Sequence, residues 1–312
     1  MAPNDTRELA DFLSETTDGL RIVGAGRWLD AGNPVRAMHT LRLERFAGVR
    51  QYVPEDLTIS VGAATTLAEL DNVTRPHGQW CPLLSWGDDS GTVGATIATA
   101  TAGPFAASLG RPRDLVLGLE CVDGLGRVIN AGGQVVKNVA GFDLTRLMTG
   151  AWGSLGVITR VHLRLRARPA ADETWVLHGD PAALDAFLRG PHAPLAALQL
   201  GSAASTASVA SFGAVAVAAG ADSVHRRLGL DPSARWLLRL GGNAADVNAA
   251  VKQLQQLGDC TQHDANIWTL VREHCAPPAS ATQWDWSPLA RRVKHQFDPR
   301  GILNPGLLGE RA

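Results

Sequence analysis

Cysteine is scarce in this chain. The four that occur, Cys81, Cys121, Cys260 and Cys275, are scattered without a CxxC pair. That argues against a disulfide framework and fits a reducing compartment. Cys260 and His263, followed by His274 and Cys275, match no standard zinc spacing, so no metal site is expected and the thiols read as isolated core residues. Long apolar runs are lacking too. Nothing reaches the roughly 18 consecutive apolar residues that a membrane-spanning helix needs. The polar start, MAPNDTRELADF, has no apolar stretch of the kind found in secretory leaders, so a cytoplasmic location is expected. Charge of one sign is also missing: 29 Lys and Arg face 30 Asp and Glu, a formal net charge of −1. No global field selects nucleic acid or an anionic membrane.

What is plentiful is glycine. The chain has 33 glycines in 312 residues, above a typical share of roughly 7%. They concentrate in the first half, which suggests a site built from loops. With this length and an apolar fraction of 45%, two domains are expected. The densest stretch runs from Gly132 to Pro169. It holds Gly132–Gly133, a short helix over Phe142–Met148, then Gly150, Gly153 and Gly156 at three-residue steps. A strand from Val157 follows, placing Val161, Leu163 and Leu165 on one face and Arg160, His162, Arg164 and Arg166 on the other. Such a basic row is most often a solvated face.

Two more glycine-rich loops precede this stretch. Asp5 to Glu8 resembles a capping box opening a helix in which Leu9, Phe12 and Leu13 share a face. A short apolar strand, Leu20–Val23, then runs into Gly24-Ala25-Gly26. A Rossmann fingerprint is improbable here: Leu29 stands where the third glycine belongs, and Gly32-Asn33-Pro34 interrupts any following helix. A loop with bare amides remains, and such a nest can bind phosphate. Strands over Leu41–Phe46 and Leu57–Val61 lead to a second capping box at Thr66 and Glu69, whose helix ends before Pro76. The second glycine-rich loop, Gly87 to Pro104, is built of small residues. Either its backbone approaches a ligand, or it is a helix packed closely on a sheet. Leu115–Val122 and Arg127–Asn130 form a hairpin.

Arg168 to Asp172 marks a domain boundary. Beyond it the order is strand (Trp175–His178), helix (Pro181–Leu188), strand (Leu195–Leu200), strand (Ala207–Ala218), helix (Ala221–Leu228) and strand (Trp236–Leu240). A helix over Ala244–Leu257 follows, with Val247, Val251 and Leu254 as a core stripe. This rhythm suggests a ferredoxin-like α+β domain. Ser287-Pro288 then caps a helix over Leu289–Phe297, with Val293 and Phe297 on one face. Trp284 and Trp286, just before it, read as core packing or as part of a docking patch. The expected division is residues 1–169, 170–283 and a returning segment, 284–312.

The segments RDLVLGLECVDGLGRVINAGG, GGQVVKNVAGFDLTRLMTGAWGSLGVIT and DPRGILNPG, in this order, resemble the FAD-linked oxidases of the vanillyl-alcohol-oxidase type. Within them the likeness is nearest to the FAD-binding subunits of bacterial glycolate oxidase (glycolate dehydrogenase). It covers residues from about 20 to 169 and about 287 to 306; the middle agrees only in architecture. The resemblance implies an α+β fold, with a two-subdomain FAD-binding domain plus a smaller ferredoxin-like cap domain. It also implies sites. Gly24, Ala25, Gly26, Arg27 and Trp28 would form the first pyrophosphate loop. Gly91, Thr92, Val93, Gly94 and Ala95, with Thr96 and Thr99 behind them, would line pyrophosphate and flavin. Asn138, Gly141, Phe142, Asp143 and Leu144, with Gly153, Gly156, Val157 and Ile158, would close the ribityl and adenine end. Lys137 is either a phosphate countercharge or a surface lysine. Asn304 is either the tail residue nearest the flavin or a turn residue before Pro305.

The implied function is oxidation of a 2-hydroxy acid, glycolate to glyoxylate, through FAD. The implied partners are a second FAD-containing subunit and an iron–sulfur subunit, with the complex at the inner face of the plasma membrane. Departures temper this. No histidine or cysteine lies in the first loop (His39 comes after it, and Cys81 precedes the second), so non-covalent FAD is expected. Phe142 replaces a tyrosine of the family pattern. The histidine–glycine-rich motif of hydroxy-acid-oxidising relatives is absent between Pro169 and Trp284, so the substrate domain looks shortened and no catalytic residue is assigned. His295 and Arg300 are further substrate-side candidates. Two alternatives stay open, a stand-alone FAD oxidoreductase on another alcohol or hydroxy acid and a structural subunit with a vestigial flavin site.

Overall fold

The computed structural model describes residues 1–83, 85–133, 143–179, 182–192, 194–200, 215–216, 221–274 and 286–309. Helix α1 (Thr6–Glu15) starts as expected at Asp5, whose carboxylate accepts from Glu8 N at 2.8 Å. The box is only half formed, because the Glu8 carboxylate reaches back to Asn4. Strands β1 (Leu20–Val23) and β2 (His39–Arg42) form a small parallel sheet. The strand expected over Leu41–Phe46 stops at Arg42. Leu43 and Phe46 close a turn there that drives the Phe46 ring into the core.

A five-stranded antiparallel sheet follows, built from β3 (Val49–Val53), β4 (Thr58–Gly62), β6 (Val116–Val122), β7 (Val128–Gly132) and β8 (Val157–Arg164), in the order β3-β4-β8-β6-β7. Its two hairpins flank β8, which therefore sits at the centre. On one face Ile59, Val61, Leu119, Val161 and Leu163 pack against α2 (Leu67–Thr74), α3 (Val93–Thr99) and α6 (Leu144–Met148); the short helices α4 (Ala106–Leu109) and α5 (Pro112–Leu115) lie between α3 and β6 in the chain. The alternation read in β8 holds, but its basic row is not simply solvated. Arg160, His162 and Arg164 are half-buried, and Arg160 lies 3.5 Å from Glu120. Burial, and then the Arg160 charge, pull the His162 imidazole below its ordinary pKa. Strand β3 went unread in the sequence, because VRQYV is an exposed edge strand with no alternation to reveal it. The short pair β5 (Gln79–Trp80) and β9 (Arg166–Ala167) leads toward the second sheet.

That second sheet has the order β12-β11-β13-β10-β14, from β10 (Ala171–His178), β11 (Ala196–Gln199), β12 (Val215–Ala216), β13 (Ala234–Gly242) and β14 (Cys260–His263). It is ferredoxin-like, with different members from those expected. Strands β10 and β11 both run antiparallel to β13, which lies between them. Strands β13 and β14 both run antiparallel to β10, likewise between them. This is a split βαβ pair using helices α7 (Leu184–Leu188) and α9 (Ala244–Leu257), with β14 as its last strand. The expected strand Ala207–Ala218 is described only as β12, an added edge strand parallel to β11; the rest lies outside the described residues.

Both faces of this sheet are covered, so its strands read as continuous apolar runs. Trp175, Leu177, Trp236 and Leu238 face α7 and α9. Val176, Leu198 and Leu237 face α8 (Ala221–Leu228) and α10 (Ile267–His274), together with Trp80, Phe105 and Leu109 from the first half of the chain. The two halves of the molecule thus share one apolar seam.

The carboxyl-terminal segment returns to the first half. Helix α11 (Pro288–Phe297) is capped by the Ser287 hydroxyl, 3.2 Å from Ala290 N. Its buried Lys294 ammonium donates to Asp298 Oδ2 and Ser154 O, each at 2.7 Å. Asp298 also accepts from the amides of Ile302 and Leu303. Leu20 N in turn donates to Ile302 O at 2.7 Å. Removing one member strands a buried charge, which costs about 3–5 kcal/mol. Lys294→Met and Asp298→Asn are each expected to lower stability by about that amount. Urea unfolding followed by circular dichroism measures it, and an unchanged midpoint for both variants would contradict this account of the tail.

Candidate functional site

The three glycine-rich loops converge. A cleft of about 920 Å³ is lined by Gly24 to Trp28 after β1, by Gly91, Thr92, Gly94, Ala95 and Thr99, by Gly153, Gly156, Val157 and Ile158, and by Asn304 of the tail.

The first loop is shaped for an anion. Gly26 has φ +77°, a left-handed conformation that suits glycine. The backbone amides of residues 24–28 donate to no acceptor among the described residues. Such a run of free donors can hold a phosphate. The second loop packs tightly on the first: a Cβ at Gly24 would stand 2.7 Å from Thr92 Oγ1. Thr92 caps α3, its hydroxyl accepting from Ala95 N at 3.3 Å. Gly94 lets that helix lie against Ala63, so the close-packed reading of the Gly87–Pro104 stretch holds. It is a closely packed helix whose first turn also faces the cleft. Arg27 bridges the two loops, with Nη1 2.6 Å from Asp88 Oδ2 and 3.0 Å from Ser90 Oγ. The Ser90 hydroxyl first, and Arg27 less strongly, hold the Asp88 carboxyl below its ordinary pKa.

The third loop turns through Gly150, Trp152 and Gly153, all at positive φ. Trp152 N donates to Ala98 O at 2.7 Å, and its ring meets Trp28 edge-on at 6.2 Å. Asn304 opens the turn through Pro305, its carbonyl accepting from Leu307 N at 3.2 Å. It lines the cleft, and its side chain joins Ile22 N to Trp152 O, each at 2.8 Å.

Other expected residues fall elsewhere. Val93 is sealed in the core, and Thr96 is buried with its hydroxyl on Thr92 O, so neither lines the cleft. Asp143 caps α6 and pairs with Arg146, while Leu144 packs on the core; both stand apart from the cleft. Lys137, Asn138, Gly141, Phe142 and Trp284 lie outside the described residues. Arg300 does not line this cleft; its guanidinium bonds the carbonyls of Leu13, Ser14 and Gly124, closing the end of α1. His295 is exposed on α11, away from this cleft. His39 faces Asp18 at 3.3 Å, and the Cys81 thiol is buried, its pKa pushed up to about 12 by desolvation; neither lines the cleft. Trp286 donates to Leu308 O, which is a packing role.

Sequence reasoning missed the apolar walls, including Ile22, Val35, Leu43, Ala98 and Leu307, and the lining residue Arg21. Trp152, directly before the cleft-lining Gly153, was the readable signal. Among the described lining residues the ionisable side chains are Arg21 and Arg27, both cations. Free amides, cations and apolar walls together fit a group that combines a diphosphate with flat rings.

Comparison with known proteins agrees with this chemistry. Residues 1–132 match the family model of the FAD binding domain. Glycolate oxidase subunit GlcE of Escherichia coli (strain K12) is 28% identical over 325 residues, spanning 92% of this chain and 91% of that one. D-lactate dehydrogenase of Archaeoglobus fulgidus is 34% identical over 168 residues; these are 52% of this chain and 37% of that longer protein. A solved alkyldihydroxyacetonephosphate synthase shares the fold, with a TM-score of 0.69 at 13% identity over 98% of this chain and 75% of the other.

The glycines differ in what they tolerate. A Cβ at Gly94 would lie 2.6 Å from Ala63 Cβ and 2.8 Å from its carbonyl oxygen, whereas one at Gly91 meets nothing nearer than 3.7 Å. Gly94→Ala is expected to cost about 1–3 kcal/mol, the usual penalty for overpacking. Gly91→Ala is expected to leave the urea midpoint unchanged, and equal midpoints for the two variants would refute the packing argument.

Proposed function

We propose that this chain is an FAD-linked oxidase of the vanillyl-alcohol-oxidase type and, within that type, the FAD-binding subunit of a glycolate-oxidising complex. In this reading glycolate, a 2-hydroxy acid, is oxidised to glyoxylate, and the electrons leave through an iron–sulfur partner beside a second FAD-containing subunit. The complex would sit in the cytoplasm, at the inner membrane face through its partners. The observation that carries the proposal is the convergence of three glycine-rich loops and the tail on one cleft, in a chain similar along its length to a glycolate oxidase subunit.

FAD, when bound, supplies the two-electron redox chemistry. The protein's part is to hold it. The free amides of Gly24 to Trp28 would take the diphosphate, each charge-assisted hydrogen bond contributing about 1.5–3 kcal/mol. Gly91, Thr92, Gly94, Ala95 and Thr99 would form the second wall, and Gly153, Gly156, Val157, Ile158 and Asn304 the third. Arg21 and Arg27 would offset negative charge. Ile22, Val35, Leu43 and Leu307 would exclude water from the rings. No cysteine or histidine is among the described lining residues, which supports a dissociable cofactor. The domains we propose are residues 1–169 for FAD, 170–283 for a shortened cap and 284–312 for the returning tail.

The cationic lining and the missing histidine–glycine-rich motif support a shared site, in which a partner helps to oxidise the acid. The chain purified alone is expected to be yellow, or to take up added FAD, and to release it on acid precipitation. A correctly folded chain that binds no FAD would sink the proposal. Under anaerobic conditions, glycolate should bleach the flavin only when partner subunits are co-expressed. Bleaching of the isolated chain by glycolate or D-lactate would instead make it a stand-alone oxidoreductase.

A further inference from the structure

The Gly91–Thr92 wall of the cleft is held from the side of the second sheet. Arg272 on α10 is 4% exposed, and two of its nitrogens are committed to the segment before Gly91. Nε donates to Ser85 O at 2.8 Å and Nη2 to Asp89 Oδ1 at 2.6 Å, while the Arg272 carbonyl accepts from Gly87 N at 2.8 Å. From the other side Arg27 grips Asp88 and Ser90. The carbonyls of Asp89 and Gly91 accept from Ala68 N and Leu67 N, each at 2.9 Å. The segment is thus pinned by an arginine from the first glycine loop and an arginine from the cap. The core of α10 needs only Ile267, Trp268 and Val271. A buried guanidinium beside them is costly to desolvate, and its planar fork matches a carbonyl plus a carboxylate.

We propose that Arg272 is a positioning residue for the dinucleotide cleft, fixing the second glycine loop so that cofactor affinity depends on docking of the cap sheet. It lines no part of the cleft, so its effect passes through Ser85 to Gly91. The proposal rests on reading the cleft as an FAD site.

The test uses the full chain and two readouts, FAD affinity by quenching of flavin fluorescence and hydrogen exchange of residues 67–68 and 85–92. Arg272→Gln is expected to weaken FAD binding about tenfold, the loss of one charge-assisted hydrogen bond, and to speed exchange in that segment. Arg272→Lys should lose less. Asp89→Asn, altered at the half-exposed partner, should weaken binding in the same direction and serves if Arg272→Gln does not fold. The Arg27→Gln and Arg272→Gln effects should combine less than multiplicatively, because both act on one loop. Arg239→Gln is the control. Arg239 also joins the two halves, pairing with Asp172 and stacking over Trp80 and Phe105, but its guanidinium makes no hydrogen bond or ion pair with residues 85–91. The proposal is overturned if Arg272→Gln and Asp89→Asn bind FAD within twofold of the parent, or if Arg239→Gln weakens binding equally. A parent chain that takes up no FAD sinks the cofactor reading; unchanged exchange at 85–92 in Arg272→Gln then sinks the clamp as well.

Discussion

Asn304 joins three stretches of backbone that are far apart in the chain. Its Nδ2 donates to Trp152 O, its Oδ1 accepts from Ile22 N, and its own amide donates to Leu20 O at 2.9 Å. The residue is buried and left-handed, with φ +44°. Asparagine tolerates this conformation better than most side chains, and its amide offers both a donor and an acceptor. Because β1 and the Trp152 turn each carry one wall of the cleft, their separation is set by this one side chain. The Lys294–Asp298 pair then holds the tail that delivers it.

Around that fixed point the cleft is made mostly of backbone. The first loop keeps its amides free, the second presents a helix start of small residues, and the third turns through left-handed positions. Arginines tie the pieces together: Arg27 joins the first loop to the second, and Arg272 joins the second to the cap. The walls therefore depend on elements from both sheets and from the end of the chain. No helix follows β1 before β2, so convergence of loops has to do what a single βα turn does in a Rossmann fold.

Much of this was readable from local pattern. The caps at Asp5, Thr66 and Ser287, the alternation in β8, and the glycine spacing at 24–26, 91–94 and 150–156 all report short-range geometry, and each loop lines the cleft. The second sheet was read correctly in class and wrongly in membership. Its last strand, Cys260–His263, is short and polar, with a half-exposed burial pattern and no alternation to reveal it. Helix α10 carried a legible spacing in Ile267, Trp268 and Val271, yet went unread beside the scattered cysteines and histidines. Val93 and Thr96 looked like site residues because they share a stretch with Gly94 and Ala95. A helix turns such neighbours to opposite sides, and that rotation buried them.

By itself the sequence determined the local chemistry: which backbone turns, where helices begin, and that small residues leave amides open. It also determined what is excluded, namely a Rossmann turn, a disulfide framework and a spanning helix. Tertiary structure alone decided which of those loops meet and what holds them there. Asn304 lies 282 residues from Ile22 and Arg272 lies 183 from Asp89 along the chain. Contacts of that span leave no periodic trace, because they depend on how sheets and tail pack rather than on any neighbour in sequence.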